Sequence, residues 1–157
     1  MSDTIYLPGT TSYYKKGEKN KKHEIAHLTE EYTFEGYAWY SREFEIPEEY
    51  LSKPCFLYLE RTRKTTVWIN NINKGSQNSL CTPHIYNITG SLHSGANTVT
   101  ILIDNTDYPT KGGHMTSPDT QTNWNGITGK IELQIYNPVY LGDVQIYPDI
   151  HTKSVRI

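Results

Sequence analysis

Short runs of alternating apolar and polar residues, separated by turns rich in Gly, Asn and Pro, recur along the 157-residue chain. A period of two is the signature of a half-buried β-strand. In the run Trp39–Ile46, Tyr40, Arg42, Phe44 and Ile46 fall on one face and Trp39, Ser41, Glu43 and Glu45 on the other, and Pro47 ends it. Phe56–Leu59 is wholly apolar and suits an inner strand. Thr65–Asn70 predicts another strand, followed by turn chemistry over Asn71–Gly75. Ile85–Thr89 reads as a strand entering a turn. Asn97–Asp104, Lys130–Ile135 (with Ile131, Leu133 and Ile135 facing inward) and Val144–Tyr147 complete the series. No long segment of period 3.6 competes; the best helical candidates are single turns at Glu48–Leu51 and at Ser91–Gly95, the latter ending on a capping glycine. Many short strands between such turns predict an all-β fold, a jelly-roll β-sandwich. Trp39 and Trp68 lie inside strands and are expected in its core, which leaves Trp124 as the exposed ring.

Composition narrows the function classes. The length suits one domain and falls short of the roughly 250 residues of a (β/α)₈ barrel. A net charge of −2 leaves no electrostatic footprint for nucleic acid. No stretch of about 18 apolar residues predicts a membrane helix. The polar start, Met1-Ser2-Asp3-Thr4, lacks the features of a signal peptide, so an exported protein is expected to be present here in mature or trimmed form. Cys55 and Cys81 read as free thiols. The six histidines (His23, His27, His84, His93, His114, His151) do not cluster, so neither a metal nor a cofactor is expected. Nucleophile-elbow, phosphate-loop and dinucleotide motifs do not occur. Glycoside hydrolysis needs two facing carboxyl groups, and nothing in the sequence pairs Asp104, Asp107 and Asp119.

Three segments carry candidate chemistry. Ser117–Gly129 packs Asp119, Gln121, Asn123, Trp124 and Asn125 into seven positions, with Thr122 among them. Amides and carboxylates can form paired hydrogen bonds to adjacent hydroxyls. An indole face can stack on the apolar face of a pyranose. These residues are therefore candidate carbohydrate contacts; the alternative is a polar loop that its Trp anchors to the core. Gly75–Asn87 has a polar half, including Asn78, that could line a cleft, and its Asn87-Ile88-Thr89 reads better as a turn than as a glycosylation site. Glu60-Arg61-Thr62-Arg63-Lys64 could clamp an acidic ligand, but reads first as a surface or interdomain ion pair.

Gly36–Pro47, Leu59-Glu60-Arg61-Thr62, Val67-Trp68-Ile69-Asn70, Pro83–Thr89, Gly95–Thr100, Asp104-Asn105 and Thr120–Leu133 follow one another in an order that resembles a known family. They are similar to the sugar-binding domain of glycoside hydrolase family 2, the family of β-galactosidase, β-glucuronidase and β-mannosidase. The resemblance covers nearly the whole chain. It implies a galactose-binding-like jelly roll that precedes an immunoglobulin-like domain and a catalytic barrel. The family's two catalytic glutamates lie on that barrel, so the resemblance implies no catalytic residue here. In β-galactosidase the loop before the Gly-Ile motif carries an aspartate that contacts the sugar. Asp119 is the nearest acidic match, one residue further from Gly126 than in that relative, and Gln121 and Asn123 are alternatives for the role.

The resulting expectation is a non-catalytic sugar-binding domain that supports the barrel and lends loop residues to carbohydrate recognition. An autonomous carbohydrate-binding module and a purely structural, interdomain sandwich are the alternatives. Expected partners are a β-glycoside, bound weakly by the isolated chain, and the barrel and Ig-like domain of the same parent. A homodimer through the Tyr-rich surface is a further option. Residues 1–147 would form the sandwich, and 148–157 the linker and first residues of a truncated Ig-like domain. Leu7-Pro8-Gly9-Thr10-Thr11 looks like the opening of exported bacterial members, so a periplasmic or secreted parent is expected.

Overall fold

The alternating runs become strands whose apolar faces meet across two antiparallel sheets. The computed structural model describes residues 3–22, 25, 30–107 and 123–157. Three two-residue strands come first: β1 (Gly9–Thr10), β2 (Glu18–Lys19) and β3 (Tyr32–Thr33). The long β4 (Tyr37–Ile46) and a single 3₁₀ turn at Glu48–Tyr50 follow. Next are β5 (Cys55–Leu59), β6 (Lys64–Ile69), β7 (Ile72–Gln77), β8 (His84–Asn87) and β9 (Gly95–Asp104). The chain ends with β10 (Gly126–Ile127), β11 (Ile131–Ile135), β12 (Tyr147–Asp149) and β13 (Ser154–Arg156). One main sheet has the order β4-β9-β6-β7 and the other β11-β5-β8, while β1-β10, β2-β3 and β12-β13 form short ladders.

Cys55, Leu57, Leu59 and Tyr86 from the three-stranded sheet pack on Val67, Ile69, Ile101 and Ile103 from the four-stranded one, with Ile88 and Ile127 between them. This is a β-sandwich with one core. Each aliphatic side chain removed from water there contributes about 1.5–3 kcal/mol. Both cysteines are free thiols, Cys55 in this core and Cys81 at the surface.

The strand predicted from Trp39 to Ile46 turns the expected face inward, since Ile46 is buried and Tyr40 packs on the core. The opposite face is the wet one, and this corrects the placement of two tryptophans. Trp39 is 62% exposed, and Trp68 is half-buried on the same outer face. Trp68 stands between Val67 and Ile69, which both point into the core. Strand geometry then sends the indole outward, whatever its size.

Three smaller expectations also change. The turn falls on Asn70-Asn71, both in the left-handed region (φ 50° and 66°), so Ile72–Gln77 continues as a strand. Two such residues are what a tight hairpin requires, and Asn tolerates them. Ser91–Gly95 is not a helical turn. The Asn97 amide organises it, donating to the carbonyls of His93 and Gly95 and accepting from the His93 N–H. Val144–Ile146 is irregular, and regular pairing begins at Tyr147. Strands β12 and β13 then pair as an exposed hairpin.

One buried polar chain crosses the core. His84 is fully buried, and its Nε2 lies 2.8 Å from the carbonyl of Ser79. That nitrogen must carry the proton, so Nδ1 accepts from the Thr65 hydroxyl at 2.6 Å. Thr65 Oγ1 in turn lies 2.7 Å from the Tyr86 hydroxyl. Burial lowers the His84 pKa, which favours the neutral ring. A folded-state pKa below the unfolded value of about 6.5 means that the unfolded chain takes up the proton first. The stability from His84 is therefore complete above about pH 6.5 and is lost as pH falls through the folded-state value. Calorimetric melting between about pH 8 and pH 5 should show this decline, and His84→Gln should flatten it; an unchanged slope in the variant would assign the decline elsewhere.

Candidate functional site

Register brings the candidate segments to one end of the four-stranded sheet. Tyr37 at the start of β4 pairs with Asp104 at the end of β9, and Asp104 pairs with Lys64 at the start of β6. Thr65 pairs with Gln77, so Asn78 leaves β7 at the same end. The 60–63 segment, the chain before β4 and both ends of the long connection from β9 to β10 meet there.

The two ends of that connection are clamped together. Asn105 is fully buried; its Oδ1 accepts from the Gly36 N–H at 2.9 Å and its Nδ2 donates to the Phe34 carbonyl at 2.7 Å. Nδ2 also donates to the Asn123 carbonyl at 3.2 Å, and Asn123 Nδ2 returns a bond to the Asn105 carbonyl at 2.6 Å. Asn105 thus has a positioning role that no local pattern announces. Just outside the clamp, Lys64 Nζ lies 2.8 Å from an Asp107 carboxylate oxygen. This bond raises the Lys64 pKa and keeps the ammonium charged.

Trp124 is half-buried over a cation. The Arg63 guanidinium sits 4.2 Å from the indole ring centroid, and its Nε donates to the Trp124 carbonyl at 3.2 Å. Arg63 is only 5% exposed, while the next residue, Lys64, makes the surface ion pair of the 60–64 run, with Asp107. A desolvated cation against an indole contributes on the order of 1–2 kcal/mol and fixes the ring. Of its neighbours, Glu60 accepts from the Lys130 N–H, and Arg61 takes a left-handed turn at the surface.

Asn125 is completely buried. Its Oδ1 accepts from the Tyr40 hydroxyl at 3.0 Å, and its Nδ2 donates to the carbonyls of Ile103 at 3.0 Å and Gly36 at 3.3 Å. Burial pushes the Tyr40 phenol up to about 12, so it remains a donor. The next residue, Gly126, has φ 140° where β10 crosses β1, and a Cβ there would stand 2.2 Å from the Gly9 carbonyl oxygen. Ile127 enters the core, and Thr62 Oγ1 donates to the Gly126 carbonyl. The Asn-Gly-Ile motif is thus an anchor.

Among the predicted contacts, Asn123, Trp124 and Asn125 therefore lie side by side, while Asn78 is exposed at the far edge strand of the same end. Asp119, Gln121 and Thr122 lie outside the described residues. Among the described residues no three His, Cys, Asp or Glu side chains come together.

No family model matches the sequence, and no curated protein does. Solved structures share its fold. The chain superposes on a β-glucuronidase of Bacteroides uniformis with a TM-score of 0.64 at 22% identity, over 86% of this chain and 14% of that one. It superposes on a β-glucuronidase from an uncultured Clostridium sp. with a TM-score of 0.62 at 15% identity, over 92% of this chain and 25% of that one. What the chain shares with them is the fold of a small part of their length.

Asn125→Ala strands the Tyr40 hydroxyl and two buried carbonyls, and should lower unfolding free energy by about 2–4 kcal/mol. Urea denaturation measures this. A loss below about 1 kcal/mol would show that water takes over the amide's bonds.

Proposed function

We propose that this chain is the non-catalytic sugar-binding domain of a family 2 glycoside hydrolase. In this reading it supports a catalytic barrel and an Ig-like domain of a longer, exported polypeptide. It contributes the segment before Gly126 to carbohydrate recognition. The observation that carries the reading is the clamp itself. Asn105, Asn123, Asn125 and the Arg63–Trp124 stack hold both ends of an amide-rich loop at one end of a rigid sandwich. Sites precise enough to orient a ligand are built on supports of this kind.

The roles divide by availability. Asn125 has its amide fully used inside the fold and acts as the anchor. Asp119, Gln121, Thr122 and Asn123 supply the hydrogen-bonding groups of the segment, and Asn78 reaches from the neighbouring loop. A pyranose stacking on Trp124 uses the indole face opposite Arg63. The catalytic carboxylates belong to the barrel. One backed ring and a few exposed hydrogen bonds barely exceed the cost of association, so the isolated chain binds a monosaccharide only in the millimolar range or weaker.

In the longer polypeptide, Asp119→Ala, Gln121→Ala and Asn123→Ala should identify the sugar-contacting residue by a fall in kcat/KM of about 5–150-fold, corresponding to ~1–3 kcal/mol. Unchanged kcat/KM in all three variants, with unchanged melting, would remove the loop from recognition and leave a purely structural domain. The 157-residue chain alone should not hydrolyse aryl β-glycosides. Turnover abolished by a single carboxylate substitution would make it an enzyme in its own right.

A further inference from the structure

We propose that the outer face of the four-stranded sheet is a second carbohydrate surface, on which Trp39 and Trp68 form a two-ring platform for a neutral glycan chain. This deepens the reading above, on which it rests for the class of ligand, and it names residues outside the loop.

The platform follows from the register around β9. Leu102 faces Trp39 on one neighbouring strand and Thr66 on the other, and Thr100 faces Ser41 and Trp68. The two indoles therefore stand on opposite sides of β9, one step apart, and lean over it. Their ring centroids are 5.3 Å apart and their planes are tilted by 34°. The pair half-covers Leu102, yet Trp39 keeps 62% of its surface in water and Tyr37, next along the same face, keeps 64%. An outward face of an antiparallel sheet is ordinarily polar. A contiguous row of large exposed rings on it marks a contact surface.

The chemistry around the rings selects the occupant. The side chains interleaved with the indoles are hydroxyls: Ser41 lies 3.3 Å from Thr100, and Thr66 lies 2.7 Å from Ser76. Trp39, Ser41, Thr66, Trp68, Thr100 and Leu102 include no ionisable group. The described charges of this face stand at its margins, with Asp104 and the Lys64–Asp107 pair at one end and Glu43 and Glu45 at the other. Leu102 is the single aliphatic side chain among the rings. Aromatic faces interleaved with neutral hydroxyls match a pyranose chain, which presents apolar C–H faces and a rim of hydroxyls; a protein partner would use the same rings, and the oligomeric state measured below separates the two.

The position fits a chain longer than one sugar. Tyr37 pairs with Asp104, at the foot of the clamped loop. In the other direction Trp39 is one wall of a groove of about 790 Å³ along the free edge of β4, lined also by Tyr6, Ser41, Arg42, Lys130 and Glu132. A glycan held at the loop can thus continue over the rings toward the groove.

The chain has three tryptophans, so its indole N–H signals report the two surfaces separately. The experiment titrates the 157-residue chain with cellohexaose, xylohexaose and mannohexaose, with a hyaluronan hexasaccharide as the charged control, and follows those signals by ¹H–¹⁵N NMR. At least one neutral hexasaccharide should shift Trp39 and Trp68. Trp39→Ala and Trp68→Ala should each weaken binding about tenfold with melting unchanged, and Trp39→Phe should retain most of it. Silence of both signals toward every neutral probe overturns the proposal. So does a dimer in sedimentation velocity that Trp39→Ala abolishes without any sugar effect, which would make the face a protein interface. Shifts at Trp39 and Trp68 without one at Trp124 uphold this surface and leave the loop reading to the kcat/KM test in the longer polypeptide. A shift at Trp124 alone overturns this surface and supports the loop.

Discussion

An asparagine side chain taken out of water must satisfy two N–H bonds and an acceptor oxygen at once, and Asn125 does so on the approach to β4, on β4 itself and on β9. Much of the architecture at this end of the sandwich depends on that requirement. It fixes where the chain returns after its long excursion. The returning backbone also meets Thr11, whose N–H donates to the Asn125 carbonyl at 2.9 Å. One residue later Gly126 slides past β1 at a distance no side chain allows. Ile127 then fills the core between the two sheets. A single residue thus ties the amino-terminal segment and the four-stranded sheet to the returning chain.

The sequence patterns gave the strands more readily than their surroundings. Alternation places β4, β6, β9 and β11 within a residue or two, because half-burial imposes period two directly, and an unbroken apolar run places β5. It does not state which face is wet. At Trp68 the flanking Val67 and Ile69 decide the matter, and the largest ring yields to parity. The turn over Asn70-Asn71 was hidden for a different reason: several Asn and a Gly stand close together, and only backbone pairing picks the two that reverse the chain. In the candidate site, composition marked the amide-rich segment as a whole. It could not show that Asn125 and Asn123 both spend side-chain amide bonds on the fold. Asp104-Asn105 stood among the ordered motifs, but the clamping role of Asn105 was hidden because its partners lie 18 to 71 residues away.

Two kinds of aromatic surface emerge, and they differ in what backs them. The Trp124 ring is held from behind by a buried guanidinium, so its orientation is set by electrostatics as well as packing. The Trp39–Trp68 pair rests on a flat sheet and is set by strand register. The fold itself is shared with much larger glycosidases at low identity.

The mutual bonds between Asn105 and Asn123 have a consequence for how such a chain can change. With its ends fixed to each other and to the sheet, the intervening segment closes a ring whose entropic cost grows only with the logarithm of its length. Doubling that length adds about 0.6 kcal/mol. The bonds between Asn105 and Asn123 thus hold the two ends of the connection together whatever the length of chain between them.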